Sequence, residues 1–221
     1  THTLGMFQIE SPGQRELVGK MQPDRYSDLV ADISLFRPGP MKGNMVAPFI
    51  DTKLGFSPPD YLHPRFRDFL QDSYGVVIYH EHVLRILNAC MGVSLAQADE
   101  LRRAMEKDMP AIEALFRNRT ARNLDEKGRR KFTDRDINTI WSTLHAFGSY
   151  GFCKAHAASF AQTTYESAWL KTHYPAEFLC GILEHDPGMY PKRLLLGEAK
   201  RMGIPILPLD VNVSTSHYVI E

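Results

Sequence analysis

Phe147-Gly148-Ser149-Tyr150-Gly151-Phe152-Cys153-Lys154-Ala155-His156-Ala157-Ala158-Ser159-Phe160 is the stretch from which the fold is read. Two glycines and a serine loosen the backbone just ahead of a helical pattern that runs from about Ala155 to His173. Free backbone N–H groups and the positive end of the dipole favour an anion at such a helix start. Lys154 and His156 stand beside it, with the hydroxyls of Tyr150 and Ser159 and several aromatic rings. That combination suits a ligand with phosphates at one end and a flat ring at the other. A glycine-rich helix entry beside an interfacial aromatic cluster accounts for the same residues.

Working backwards, Thr133-x-x-Asp136 caps a helix whose apolar face is Ile137, Ile140, Trp141, Leu144 and Phe147. Ser94 and Gln97 make a capping box, and the helix it opens carries Leu95, Ala98, Leu101 and Met105 on its buried face. Arg102 and Arg103 flank that face about 100° apart, so they can grip one anion from two sides. Nearer the start, Ser11 caps a helix to about Lys20 with Pro12 in its first turn. A second helix from about Arg25 runs into Arg37-Pro38-Gly39-Pro40, which ends it and holds Arg37 on a stiff corner. Arg37 also reads as a cation closing a helix C-terminus. Asp24, Asp28 and Asp32 read as helix surface.

Two short runs read as strands: Gly5 to Ser11 by alternation, and Val76-Val77-Ile78-Tyr79 by β-branching. Pro205 to Asn212 reads as extended. Beyond the opening stretch, Ala176–His185 and Leu194–Arg201 continue the helical pattern. The expectation is a mainly α protein with a few short β strands (α+β), with too little β for a Rossmann sheet. His80-Glu81-His82 has the wrong spacing for two ligands on one helix face, and Cys153 with His156 offers half a site, so no metal site is expected. No serine sits in a nucleophile elbow.

The 221 residues carry 26 basic and 26 acidic side chains, so net charge points to no partner class. Local charge does. From Arg102 to Lys131 ten Lys/Arg face five Asp/Glu, which implies one cationic face or a solvated helix pair. Three widely spaced cysteines favour reduced thiols and a cytoplasmic setting. No apolar run approaches the roughly 18–20 residues of a membrane span, and no signal peptide opens the chain. Both ends stop in mid-pattern, as in a segment cut from a longer protein.

Five stretches occur in register: Gly5-Met6-Phe7-Gln8-Ile9-Glu10-Ser11, Phe36-Arg37-Pro38-Gly39-Pro40, Leu101-Arg102-Arg103-Ala104-Met105, Tyr150-Gly151-Phe152-Cys153-Lys154-Ala155-His156, and Trp169 to Phe178. Together they resemble the C-family bacterial DNA polymerases, the α subunit of DNA polymerase III, over about Gly5 to Asn212. The resemblance implies an irregular helical fingers domain over residues 1–212, with 213–221 beginning the following segment and the palm lying upstream. It implies DNA-directed DNA polymerase activity for the full protein and none for this piece alone. No catalytic residue is expected here, because the family's palm aspartates hold the two Mg2+ ions of phosphoryl transfer.

Carried over by position, the resemblance makes Arg102, Arg103, Lys154, His156, Tyr150 and Arg37 nucleotide-binding residues. The basic residues Arg117, Arg119, Arg122, Arg129, Arg130 and Lys131 would meet nucleic-acid backbone. The implied partners are dNTP, primer-template DNA and, in the full protein, the sliding clamp and other replisome subunits. Cys153 departs from the family's common Asn, and Glu106-Lys107-Asp108 departs from its Gly and lysines, as in a specialised or error-prone paralogue. A helical nucleic-acid-binding module without a nucleotide pocket remains the alternative.

Overall fold

A computed structural model describes residues 2–37, 45–147, 152–186 and 188–220. Among them are eleven α-helices and no β-strand. The chain forms two compact units, residues 1–29 with 159–221, and residues 30–158.

In the first unit, Ser11 caps α1 (Pro12–Met21) by accepting the Gln14 N–H, with Pro12 in the first turn as its missing donor requires. α2 (Tyr26–Leu35) follows and continues into the second unit. α9 (Lys154–His173) from residue 159 on, α10 (Pro175–His185) and α11 (Lys192–Arg201) supply the rest of the first unit's helix. Leu4, Leu183 and Leu195 form its small buried cluster, with Ile182, Tyr190 and Leu196 packed against them.

The second unit holds the larger core. α3 (Val46–Lys53) and the single-turn α4 (Arg67–Leu70) precede α5 (His80–Met91), α6 (Leu95–Met105), α7 (Met109–Ala121) and α8 (Asp134–Phe147). The Ser94–Gln97 box starts α6, Asp108 caps α7 through the Ala111 N–H, and Thr133 and Asp136 bond reciprocally at the start of α8. Phe116 of α7 meets Trp141 of α8 at 5.2 Å, and Phe132 is fully buried against His63 and Phe66. Gly75 is obligatory. At φ +89° a Cβ would lie 2.1 Å from the Asp60 carbonyl oxygen, and this turn aims residues 76–79 at the start of α5.

The α+β expectation is overturned, since the described residues hold two isolated bridges and no ladder. Residues 5–9 fold as turns, with Gly5 at φ +80° and Gln8 at φ +63°, and Thr3 Oγ1 donates to the Ile9 carbonyl across them. Among the described residues, Val76–Tyr79, buried from Val77 on, has one bridge, a parallel one from Tyr79 to Phe152. A β-branched segment becomes a strand when a neighbouring strand pairs with it, and the described residues supply a single bridge. Residues 205–212 form no strand, and Leu209 and Val211 are almost fully exposed. Three side-chain expectations also change. Asp28 and Asp32 are buried rather than on a helix surface, and Leu95 is exposed rather than buried.

Candidate functional site

α5 opens where three separate segments meet. The His80 N–H donates to the Phe152 carbonyl at 2.9 Å, which fixes the entry of α9 beside the first turn of α5. Glu81 then takes the Lys154 N–H on both carboxylate oxygens, at 3.1 Å each, and the Cys153 thiol at 3.6 Å. The sequence reads the start of α9 as a seat for an outside anion. At Lys154 the protein supplies its own, so phosphate contacts here would fall to cationic side chains.

The Lys154 ammonium pairs with Asp72 and lies 5.1 Å from the centre of the Tyr79 ring. Asp72 also faces His82 Nε2 at 3.7 Å, and His82 Nδ1 accepts the Ile78 N–H at 3.3 Å. The Ile78 donor leaves the proton of a neutral imidazole on Nε2, aimed at Asp72. Hydrogen bonding from His82 holds the Asp72 carboxyl down at about 2; burial opposes this and Lys154 reinforces it. His82 is pushed below the ordinary histidine value by burial, against the pull of Asp72.

Arg37 lays its guanidinium over the Phe152 ring, 3.6 Å from the centroid, and the His156 ring meets the same phenyl edge-on at 5.2 Å. Arg102 is mostly covered, with 13% of its side chain exposed, and is tied to Asp99 at 3.2 Å and Glu106 at 3.4 Å. It acts on the same helix start, for His80 is lowered first by burial and next by the charge of Arg102. Arg103 reaches the other Asp99 oxygen at 2.8 Å, with 71% of its side chain in solvent. The structure thus brings Arg37 and His156 together on Phe152, two residues before Lys154, whose ammonium turns to Asp72 and Tyr79, while Arg102 is held by Asp99 and Glu106 on α6. Tyr150 and the Pro38-Gly39-Pro40 corner lie outside the described residues.

The basic segment divides differently. Residues 123–131 form a tight hairpin-like loop, closed by Asp125 N–H to the Arg129 carbonyl and Lys131 N–H to the Asn123 carbonyl. The Asn123 amide donates to the carbonyls of Ala89 and Cys90, which fastens the loop to the end of α5. Arg65, Lys127, Arg129 and Lys131 border an open depression of about 560 Å³. Arg129 is paired with Asp125 and Arg130 with Asp134, while Arg119 and Arg122 are exposed around the end of α7. Arg117 bonds Glu113 at 2.7 Å and Asn138 at 2.6 Å, bracing α7 against α8.

A family model for the bacterial DNA polymerase III alpha subunit finger domain matches residues 1–128. The chain belongs to that family. An error-prone DNA polymerase of Symbiobacterium thermophilum is 42% identical over 99% of the chain, which covers 20% of that protein. The DNA polymerase III alpha subunits of Pasteurella multocida and Escherichia coli are each 37% identical over the whole chain, which covers 19% of them. The chain spans about a fifth of the length of these curated relatives.

In this finger domain, sequence reasoning missed Asp72, Glu81, His82 and Arg65. Asp72 lies 82 residues from Lys154 and Glu81 lies 73, and nothing local ties either carboxylate to the α9 start. His82 carried a weak signal, as a histidine on the apolar side of an amphipathic helix start. Among the described residues, no group of three or more His, Cys, Asp or Glu side chains could hold a metal ion. Nor is any helix long and apolar enough to cross a membrane.

Proposed function

We propose that this finger domain receives the triphosphate of an incoming dNTP and steadies primer-template DNA within a bacterial DNA-templated DNA polymerase. The observation that carries the reading is the meeting of Arg37 and His156 on Phe152 beside the clamped Lys154 start of α9, in a chain of this family whose Arg102 bears its charge on His80. A triphosphate bears roughly four negative charges, and guanidinium forks with an ammonium neutralise it without a metal held by this segment. Arg103, exposed beside Arg102, extends the cluster toward solvent, and Tyr150 belongs to the same reading by its place in the motif. The Phe152 ring, already clasped by Arg37 and His156, keeps these cations on a stiff support.

Base choice in this reading comes from pairing geometry, so the domain needs shape and phosphate contacts rather than base-edge readers. Arg119, Arg122, Arg129, Arg130 and Lys131 meet DNA backbone, joined by Arg65 and Lys127 around the loop depression. Arg117 contributes from the α7–α8 brace. Residues 1–212 act as the fingers and 213–221 lead into the next segment. Phosphoryl transfer, with its Mg2+, belongs to acidic residues outside this segment, so the isolated domain incorporates no nucleotide. The sliding clamp and replisome contacts belong to the rest of the full cytoplasmic polymerase.

The decisive experiment is steady-state incorporation by the full-length polymerase carrying Lys154→Ala or Arg103→Ala. Removing a charge-assisted hydrogen bond to phosphate costs about 1.5–3 kcal/mol, so nucleotide KM rises roughly ten- to a hundredfold. Unchanged nucleotide KM and kcat in both variants would remove the cluster from the pocket. The domain would then be read as a nucleic-acid-binding module, whose affinity for primer-template falls steeply with salt while free dNTP does not bind.

A further inference from the structure

We infer that Asp72 is the positioning residue for Lys154: it fixes the ammonium where a phosphate can reach it, and His82 in turn fixes Asp72. The inference rests on the nucleotide reading of Lys154 and adds a residue that touches no substrate. Three features of the geometry carry it. The Lys154 ammonium is held by Asp72 on one side and the Tyr79 ring face on another, while 44% of the side chain stays exposed. An ammonium has three donors, so one held by Asp72 leaves others for a ligand. The backbone end of the same lysine is clamped by Glu81, so both ends of a side chain with four rotatable bonds are restrained.

Asp72 is restrained as well. It sits in a short 3-10 turn, Gln71–Ser73, followed by Tyr74 at φ +55° and the obligatory Gly75. The buried His82 ring faces one of its carboxylate oxygens, and Lys154 takes the other. The Ile78 N–H sets the His82 tautomer that directs a donor at Asp72. The chain Ile78–His82–Asp72–Lys154 therefore runs from a buried backbone amide to an exposed cation. That order suits placing a charge rather than burying one. Exposed lysines are mobile, and one confined to a single rotamer loses less freedom when it meets its ligand.

A double-mutant cycle in the full-length polymerase tests this, with primer-template held saturating and dNTP varied. Asp72→Asn keeps the shape and removes the charge. It should raise nucleotide KM about three- to tenfold with kcat within about twofold, while Lys154→Ala raises KM more. Adding Asp72→Asn to Lys154→Ala should then cost nothing further, since there is no lysine left to place. Equal, additive losses in the double variant overturn the inference, because general damage to the fold adds whereas positioning does not. A lowered KM in Asp72→Asn overturns it too, and would make Asp72 a counter-ion that phosphate must displace. If Lys154→Ala raises KM but Asp72→Asn changes nothing, the inference fails and the nucleotide reading stands. If Lys154→Ala itself leaves KM unchanged, the nucleotide reading fails first.

Discussion

The two ends of α9 each carry a lysine paired with a carboxylate, and the two pairs have opposite characters. Lys171, near the C-terminal end, is 3% exposed at its side chain and donates to the His2 carbonyl, the Leu4 carbonyl and Glu198 at 2.7–2.8 Å. Three acceptors consume the three protons of a charged ammonium, and the C-terminal end of a helix dipole favours the cation. Lys154, at the N-terminal end, has 44% of its side chain exposed, and the dipole there works against it. Glu81 offsets that by seating its carboxylate on the Lys154 amide. Charge and partner type are the same, so burial and the number of acceptors decide which lysine is structural. Lys171 has no donor left over; Lys154 has.

The carboxylates make the point from the other side. Burial raises Glu198, but hydrogen bonds from Arg201 and then Lys171 outweigh it and bring the group down to about 2. Asp72 comes to about 2 by way of His82 and Lys154. Lys171 itself is lowered, because burial outweighs the attraction of its one charged partner, whereas Glu198 has two. Equal carboxylate values thus hide unequal sites: each carboxylate has two partners, but Glu198 is 9% exposed at its side chain and Asp72 43%.

The largest expected effect breaks the buried pair. Lys171→Met removes three hydrogen bonds and leaves two carbonyls and part of a carboxylate without a donor, which should cost about 3–5 kcal/mol. Hydrogen exchange of the α9 C-terminal turns and of α11 should accelerate by two orders of magnitude or more. Lys154→Met should change stability by less than about 1 kcal/mol, as for a solvent-facing ion pair. Similar exchange behaviour in the two variants would erase the contrast between the ends of the helix.

The next effect is functional and reverses the ranking. Nucleotide KM should rise roughly ten- to a hundredfold for Lys154→Ala in the full polymerase, about 1.5–3 kcal/mol. A Lys171→Arg polymerase that still folds should show a KM near the starting value, because Lys171 serves the fold of its own unit. A smaller effect concerns the basic loop. Removing Arg129 and Lys131 together should lower the slope of log affinity against log salt by about 0.9 for every duplex phosphate that the loop no longer neutralises. An unchanged slope would take both residues off the DNA and leave Arg129 to its ion pair with Asp125.

What could be read from the sequence follows the range of the interaction. Helix starts were legible because caps act within three or four residues: Ser11 on Gln14, Ser94 with Gln97, Thr133 with Asp136. The length of α9 was legible to within a residue at its start, from its pattern and from Tyr174-Pro175 after its end. The Val76–Tyr79 strand was misread because a strand exists only with a partner, and among the described residues its one bridge is to Phe152. Lys171 could not be recognised as buried, since its acceptors come from residues 169, 167 and 27 positions away. For the candidate site the sequence offered the cations but not the carboxylates that hold them. Asp99 and Glu106 were within reach of local reasoning, at i,i+3 and i,i+4 from the two arginines.

The subtlest difference between the regions is their response to acid. His82 is held below its ordinary value of 6.5 mainly by burial, so the unfolded chain binds the proton more readily than the folded one. Stability from this group is therefore present above about pH 6.5 and declines as pH falls from there toward the folded value. Protonation would also put a second cation beside Lys154 at Asp72, and so compete for the carboxylate that places the lysine. Glu198, depressed from 4.5 to about 2, keeps its contribution until pH drops below about 4.5. Hydrogen exchange between pH 7 and 4.5, corrected for intrinsic rates, should show the start of α5 and of α9 loosening first, while the Lys171 nest stays protected. His82→Gln, which keeps a polar group but cannot titrate, should flatten the first phase and leave the second in place. If both regions loosened together in the parent protein, the buried imidazole would not be what sets the acid response of the Lys154 end.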